Sequence, residues 1–229
     1  MSSNEELVSV IMSTKDDSKT LDLAIKSILE QTYRNFELLI MDDGSKDNTN
    51  NILQKYSKKD NRVKIHKNDS NLGLTKSLNQ LITLSNGEYI ARQDADDYST
   101  SERLQIQLEY IKRTDVDAVT SRARIISNEK KIPGLSFFIP LKISSKYKNP
   151  FIHGTLLIKK KVINEIGNYN ENFLYAQDYK LFIDLLYSDY RIKNLNEILY
   201  YLNMEDNISA NYSREQKYYF ECARKNIIP

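Results

Sequence analysis

Asp94, Ala95 and Asp96 set two carboxylates two positions apart in a short polar run, with Asp97 directly behind them. Carboxylates at that spacing in a tight turn can bear on one hard divalent cation, Mg2+ or Mn2+, which takes oxygen ligands and keeps places for substrate phosphates. The chemistry that needs such a cation is displacement of a nucleoside diphosphate. Its leaving group gains negative charge in the transition state, and a bound metal neutralises it. As a bare pattern D-x-D is weak, because most occurrences are surface loops. Its value depends on the elements around it.

Those elements alternate. Residues 8–12 read as a buried strand, and Leu21, Ile25, Ile28 and Leu29 then share one helical face. Residues 36–41 read as a second strand, ended by Asp42-Asp43-Gly44-Ser45, and Asp47-Asn48-Thr49 can cap a helix running to about Ser57. A third strand at 62–65, a helix marked by Leu74, Leu78, Leu81 and Ile82, a fourth strand at 88–91 and a helix through Leu104 and Ile111 follow. Strand–helix alternation with short connections predicts right-handed crossovers and a mainly parallel sheet covered on both faces. Ligands of such sheets bind beyond the carboxyl ends of the strands. Three polar clusters fall there: Ser13-Thr14-Lys15-Asp16, Asp42-Asp43 and 94–97. One such cluster is ordinarily a helix cap or a solvated turn; three on one edge favour a site.

The second half is less regular. A strand is expected over 116–127, a loop over 128–140, a strand over 152–158, a buried helix through Tyr179, Phe182 and Leu186, a strand over 198–202, and a polar tail from Glu205 ending in a helix. The expected organisation is one α/β domain over 1–229: a nucleotide-binding half over about 1–98 and a smaller irregular half over about 99–229.

Composition narrows the function. Lys plus Arg number 33 against 31 Asp plus Glu, a net +2 that makes no nucleic-acid-binding field. Lys159-Lys160-Lys161 is the one basic run, and a solvated strand edge is its plainer reading. No apolar run approaches the ~20 residues of a membrane span, and the polar, acidic start at 1–7 does not resemble a secretory leader. A single cysteine, Cys222, excludes an intramolecular disulfide and a zinc site built on several cysteines, and fits a reduced intracellular compartment.

The blocks Val8-Ser9-Val10-Ile11-Met12-Ser13-Thr14, Asp42-Asp43-Gly44-Ser45-Lys46-Asp47-Asn48-Thr49, Asn71-Leu72-Gly73-Leu74 and 86–97 stand in that order, followed by His153-Gly154-Thr155 and Gln177-Asp178-Tyr179. Together they resemble the family 2 glycosyltransferases of GT-A fold, over roughly residues 8–209. The resemblance implies an inverting enzyme that moves a sugar from a nucleotide donor, UDP-linked in most members, to a glycan or lipid-linked glycan, on the cytoplasmic side. It implies that Thr14, Asp16 and Asp43 hold base and ribose, with Asp43 toward a uracil ring. Asp94 would lie by the ribose and donor sugar, Asp96 would ligate Mn2+ or Mg2+, and Asp178 would be the catalytic base. Membrane association, by the same analogy, would be peripheral.

The chemistry of such a base stands on its own. A sugar hydroxyl is a poor nucleophile at neutral pH, so a carboxylate within hydrogen-bond reach takes its proton as the new bond forms. Asp178 also stands at the start of an apolar helix, where a capping residue is the plainer reading without the resemblance. His153 is expected to contact acceptor or metal, or to be a structurally hydrogen-bonded histidine. Arg92 is expected to pair with a phosphate or with Asp94. Where members carry Arg-x-His after the last strand this chain has Leu202-Asn203-Met204, and methionine is a poor ligand for a hard cation. Two other classes stand beside this reading. One is a catalytically silent sugar-nucleotide-binding module. The other is a nucleotidyltransferase, against which counts the absence of glycine from 13–18.

Overall fold

The computed structural model describes residues 6–204 and 213–229. The acidic start at 1–5 and the first residues of the polar tail, 205–212, lie outside the described residues.

The first half folds as its periodicity dictates. β1 (Val8–Thr14), β2 (Phe36–Asp42), β3 (Val63–Lys67) and β4 (Tyr89–Arg92) alternate with α1 (Leu21–Leu29), α2 (Thr49–Lys59) and α3 (Leu74–Leu84). These four strands are mutually parallel in the order β3-β2-β1-β4. All seven residues of β2 are buried, because both faces of the sheet are covered. Leu38 and Ile40 face α1 and α2, whereas Leu39 and Met41 face α3 and the second half. The chain leaves β1 toward β2 on one side and returns to β4 on the other, so the strand order reverses at β1. That reversal opens a crevice at the carboxyl ends of β1 and β4.

Beyond β4 the sheet becomes mixed. After the short β5 (Tyr98–Ser99), α4 (Arg103–Thr114) leads into β6 (Ala118–Ile125). The stretch expected as a loop contains β7 (Lys131–Ile132) and a 3-10 turn, Leu135–Phe138, and is followed by the short α5 (Leu141–Ser144). The strand expected over 152–158 is a 3-10 turn at His153–Thr155 followed by β8 (Leu157–Lys159). The turn arises where Arg103 and Gln107 of α4 take the carbonyls of Gly154 and Thr155, so these groups are not available to a ladder. α6 (Lys160–Glu165), α7 (Gln177–Tyr187), β9 (Ile192–Leu202) and α8 (Ser213–Lys225) complete the described elements. β8 pairs antiparallel with β4 and β6, and β9 lies parallel to β6. One sheet therefore runs through both halves.

Two details fix the edge that carries the polar clusters. Glu37 is buried on β2 and accepts from Ser9 Oγ (2.6 Å), the Asn86 amide (2.7 Å) and Lys64 Nζ (2.6 Å). Gly87 is required beside it, since a Cβ there would come within 2.5 Å of the Leu7 carbonyl oxygen and 2.7 Å of the Ser9 nitrogen. In the run Lys159-Lys160-Lys161 the first two are half-buried and the third is exposed. Lys159 pairs with Asp115 and Asp117, Lys160 donates to the Ser85 carbonyl, and Lys161 pairs with Glu165.

Candidate active site

The β1 and β2 ends meet through their loops. Thr14 is buried; its hydroxyl donates to Asp17 Oδ2 (2.8 Å), and its carbonyl accepts the Asp43 amide (2.9 Å). Asp16 has φ of +58°, and its Oδ1 accepts the amides of Lys46 (2.7 Å) and Asp47 (3.3 Å), clamping the two loops together. Asp43 is buried, with Oδ1 accepting Asn68 Nδ2 and the Leu72 amide and Oδ2 the Gly73 amide, each at 2.8 Å. These three residues therefore organise the loops at the crevice. Asp17, which no sequence pattern singles out, adds a carboxyl facing the D-x-D run. Burial first, then Asp47 and Asp16, raise its pKa, against hydrogen bonds from Lys15 and Thr14.

The D-x-D turn is held from beneath by the buried polar side chains of Arg92, Gln93 and Arg103. The buried Arg92 guanidinium donates to Asp94 Oδ1 at 2.5 Å and to the Gln93 carbonyl, and so makes the expected pair with Asp94. Gln93 is buried too. Its Nε2 reaches the carbonyls of Asp94 (3.0 Å) and Asp97 (3.1 Å) and the Tyr200 hydroxyl (3.2 Å), while Oε1 accepts from Ser99 (2.7 Å). Arg103, at the start of α4, donates to the carbonyls of Arg92 (2.8 Å) and Gly154 (2.7 Å), pinning β4 to the 153–155 turn. A Cβ on Gly154 would overlap the Tyr200 hydroxyl and come within 2.7 Å of Asp94 Oδ2.

Three carboxyls crowd this turn. Asp97 is buried and accepts the Asn203 amide at 2.7 Å; burial, then Asp94 and Asp96, raise its pKa to about 9, so it carries a proton at neutral pH. Asp96 is exposed, and its carboxyl is raised to about 6 by desolvation, then by Asp94 and Asp17, with Arg92 pulling the other way. We ascribe the direction chiefly to like charge, because an exposed residue retains water. Asp94 is partly buried.

Across the crevice stand Asp178, His153 and Tyr169. Asp178 lies in the first turn of α7, one position inside Gln177, after Ala176 in a left-handed conformation (φ +53°). It is therefore a first-turn residue rather than the cap. Asn149 Nδ2 donates to its Oδ2 at 2.8 Å, and the Phe151 amide fixes the Asn149 oxygen at 3.1 Å, which settles the orientation of that amide. Desolvation is the largest influence on Asp178 and raises its pKa; hydrogen bonds from the Tyr179 amide and Asn149 oppose it, and the Asp94 charge adds to it. His153 Nε2 and the Tyr169 hydroxyl lie 2.7 Å apart. Burial, then Arg92, lower the His153 pKa to about 3, so the ring is neutral. Gly154, beside His153, lies so close to Asp94 that a Cβ there would be 2.7 Å from its Oδ2, and the Asp94 charge acts on Asp96, Asp97, His153 and Asp178.

The donor set suits a hard cation. The carboxylates of Asp94, Asp96 and Asp17 repel one another, and a divalent ion beside Asp96 would relieve that repulsion. Among the described residues no group of three or more His, Cys, Asp or Glu is arranged to hold a metal. The fit is therefore to an ion that completes its sphere with phosphate oxygens and water. Elsewhere, a groove of about 850 Å³ between α3 and the 166–171 turn is lined by Lys76, Asn79, Gln80, Tyr169 and Glu171 among others, and none of the acidic turn residues reaches it.

A parallel half-sheet has its strand order reversed at β1, and an acidic turn stands at that reversal, the position at which open α/β sheets bind their ligands. The model of "Glycosyl transferase family 2" matches residues 9–179, from β1 into the helix that carries Asp178. The chain belongs to that family and is a glycosyltransferase. WbnJ of Escherichia coli, an O-antigen biosynthesis glycosyltransferase, is 34% identical over 228 residues, covering 97% of this chain and 88% of WbnJ. WfgD of Escherichia coli, a UDP-Glc:alpha-D-GlcNAc-diphosphoundecaprenol beta-1,3-glucosyltransferase, is 29% identical over 196 residues, 84% of this chain and 74% of WfgD. The mannosyltransferase PcManGT of Pyrobaculum calidifontis, solved with GDP-Man and Mn2+, superposes with a TM-score of 0.75 at 18% identity, over 91% of this chain and 60% of PcManGT. The fold is thus the mixed α/β arrangement of such enzymes.

Proposed function

We propose that this protein transfers a sugar from a UDP-linked donor to a hydroxyl of a glycan or lipid-linked glycan, with inversion at the anomeric carbon, and that residues 1–229 work as one unit. The observation that carries the reading is the family match, which runs from β1 into α7, at whose start Asp178 is held by the Asn149 side-chain amide at 2.8 Å. WfgD, whose name gives a UDP-linked donor and a lipid-linked acceptor, supports the choice of substrates.

Each residue has a role in that reading. Thr14, Asp16 and Asp43 shape the loops that take base and ribose, and Asp43 Oδ2, which accepts one amide, retains a lone pair for a donor on the ring. Arg92 holds Asp94 against the ribose and donor sugar. Asp96 is the metal ligand, and Mn2+ or Mg2+ there would supply charge neutralisation for the diphosphate. Asp178 takes the proton of the attacking hydroxyl; its raised pKa makes it a stronger base than a solvated aspartate. His153, neutral and bound to Tyr169, lines the acceptor side. Among the described residues no helix is long and apolar enough to cross a membrane, and a cytoplasmic site of action is part of the proposal.

A thermal-shift panel of UDP, GDP, CDP and dTDP with and without Mn2+ tests the donor assignment. A ligand at a hundred times its dissociation constant stabilises by about 2.7 kcal/mol, a rise of roughly 5 to 11 °C for a domain of this size. A Mn2+-dependent rise with UDP is expected. A larger rise with GDP, the base of the PcManGT ligand, would replace UDP in the assignment, and no rise with any nucleotide would overturn it.

A further inference from the structure

We propose that the segment 130–148, between β6 and β8, is a seat for an anionic phospholipid bilayer. It holds five lysines (130, 131, 142, 146 and 148) and no Asp or Glu. Its burial is inverted. Ser144 and Ser145 are buried, at 4% and 0% exposure, while Leu135, Phe138 and Tyr147 stand out at 89%, 73% and 80%, with Ile139 and Ile143 also exposed.

The helical turn of α5 continues past its end, since the amides of Tyr147 and Lys148 both donate to the Ser144 carbonyl. Ile143 with Tyr147 and Lys142 with Lys146 are therefore i, i+4 pairs on adjoining stripes of one outward face. The exposed side chains are not a loose loop. Arg122 stacks on Phe137 (5.1 Å) and donates to the Pro133 carbonyl (3.1 Å), and Tyr179 of α7 donates to the Ser145 carbonyl (2.6 Å). The fold holds them outward at a cost in exposed apolar area.

The mixture identifies the occupant. Cores of protein–protein interfaces are depleted in lysine, so five lysines interleaved with exposed aromatic and aliphatic groups argue against a protein partner or a second copy. At a bilayer surface the same mixture fits: apolar groups enter the headgroup boundary while lysines reach anionic phosphates. Position gives the seat a use. Asn149, the next residue, holds Asp178, so a bilayer on this face lies beside the candidate base. That deepens the reading above, on which the purpose of the seat rests; lipid binding itself does not depend on it.

The test is co-sedimentation of the full chain, without donor or acceptor, with vesicles of equal parts phosphatidylglycerol and phosphatidylcholine and with phosphatidylcholine alone. Binding to the anionic vesicles only is expected, weakened about fivefold per lysine and about a hundredfold in Lys142→Gln/Lys146→Gln/Lys148→Gln. Phe138→Ser/Tyr147→Ser, which leaves the charge intact, should also lose binding. Because the chain has no tryptophan, Phe138→Trp gives a single fluorescent probe that serves even if the serine variant fails to fold; its emission should shift blue on anionic vesicles. Absence of binding, equal binding by the lysine variant, an unmoved emission from the Phe138→Trp variant, or concentration-dependent self-association abolished by the same substitutions would each overturn the proposal. UDP-induced thermal shifts on the same samples report separately on the donor site, so failure of one reading is not mistaken for failure of the other.

Discussion

The Tyr200 hydroxyl accepts the Asp94 amide N–H at 3.0 Å, tying the end of β9 to the turn after β4. The contact is possible because residue 154 is glycine, whose missing Cβ leaves room for both groups. Asp94 is thus positioned by a residue 106 places away in the chain.

Tyr200→Phe keeps the ring and removes the acceptor. The Asp94 amide and Gln93 Nε2 each lose a partner, which costs about 1–3 kcal/mol. A fall in thermal midpoint of roughly 2 to 12 °C is expected, with sugar transfer reduced about 10- to 100-fold. Gly154→Ala should be worse on both measures. Wild-type transfer by Tyr200→Phe would show that the turn does not need this support.

Asn149 favours the charged form of Asp178 by donating to it. Asn149→Ala removes that donor, so the Asp178 pKa rises further and activity is lost at higher pH as the solution is acidified. The acid limb of the kcat/KM profile should move to higher pH, with loss at pH 6 exceeding loss at pH 8. A profile scaled down evenly at all pH values would mean that Asn149 acts only in folding.

Relief of like charge is the third expectation. The folded-state pKa of Asp96, about 6, lies above its ordinary value of 3.8. As pH falls through 6 the folded state takes the proton first, so this group adds stability on acidification and detracts above 6. Asp96→Asn without metal should raise the thermal midpoint at pH 7.5. Discounted for solvent exposure, the gain is about 1 kcal/mol, or 2 to 4 °C, and it should vanish near pH 4. The same variant should lose the Mn2+-dependent part of the nucleotide shift.

Glu37 behaves oppositely. Desolvation works against its charge, but donors from Lys64, Ser9 and Asn86 prevail and lower its pKa to about 2. Its contribution is fully present above pH 4.5 and is lost as pH falls toward 2. Glu37→Gln should cost about 2 kcal/mol at pH 7, seen as a midpoint lower by roughly 4 to 8 °C, with nucleotide binding retained.

The strands and helices of the first half are legible in the sequence because burial on both faces writes itself as short apolar runs between helical periods. The three polar clusters at the strand ends are legible for the same reason. The partners beneath them are not. Gln93, Arg103 and Tyr200 act through pairings across 51 to 107 residues, and a buried arginine at the start of α4 reads in sequence as an ordinary surface residue. Asp17 is hidden among adjacent acidic residues, and only the loop geometry separates its role from that of Asp16. The 153–155 turn reads as strand because its carbonyls are claimed by side chains of α4, which no local pattern records.

The most direct test of the account compares Asp178→Asn with wild type for UDP binding by thermal shift and for UDP release from UDP-sugars in the presence of glycan or lipid-linked acceptors. Loss of a positioned general base removes about 10²- to 10⁴-fold of rate, while the nucleotide loops are untouched. An unchanged UDP shift is expected, with transfer reduced at least about a hundredfold. Transfer at the wild-type rate would contradict it.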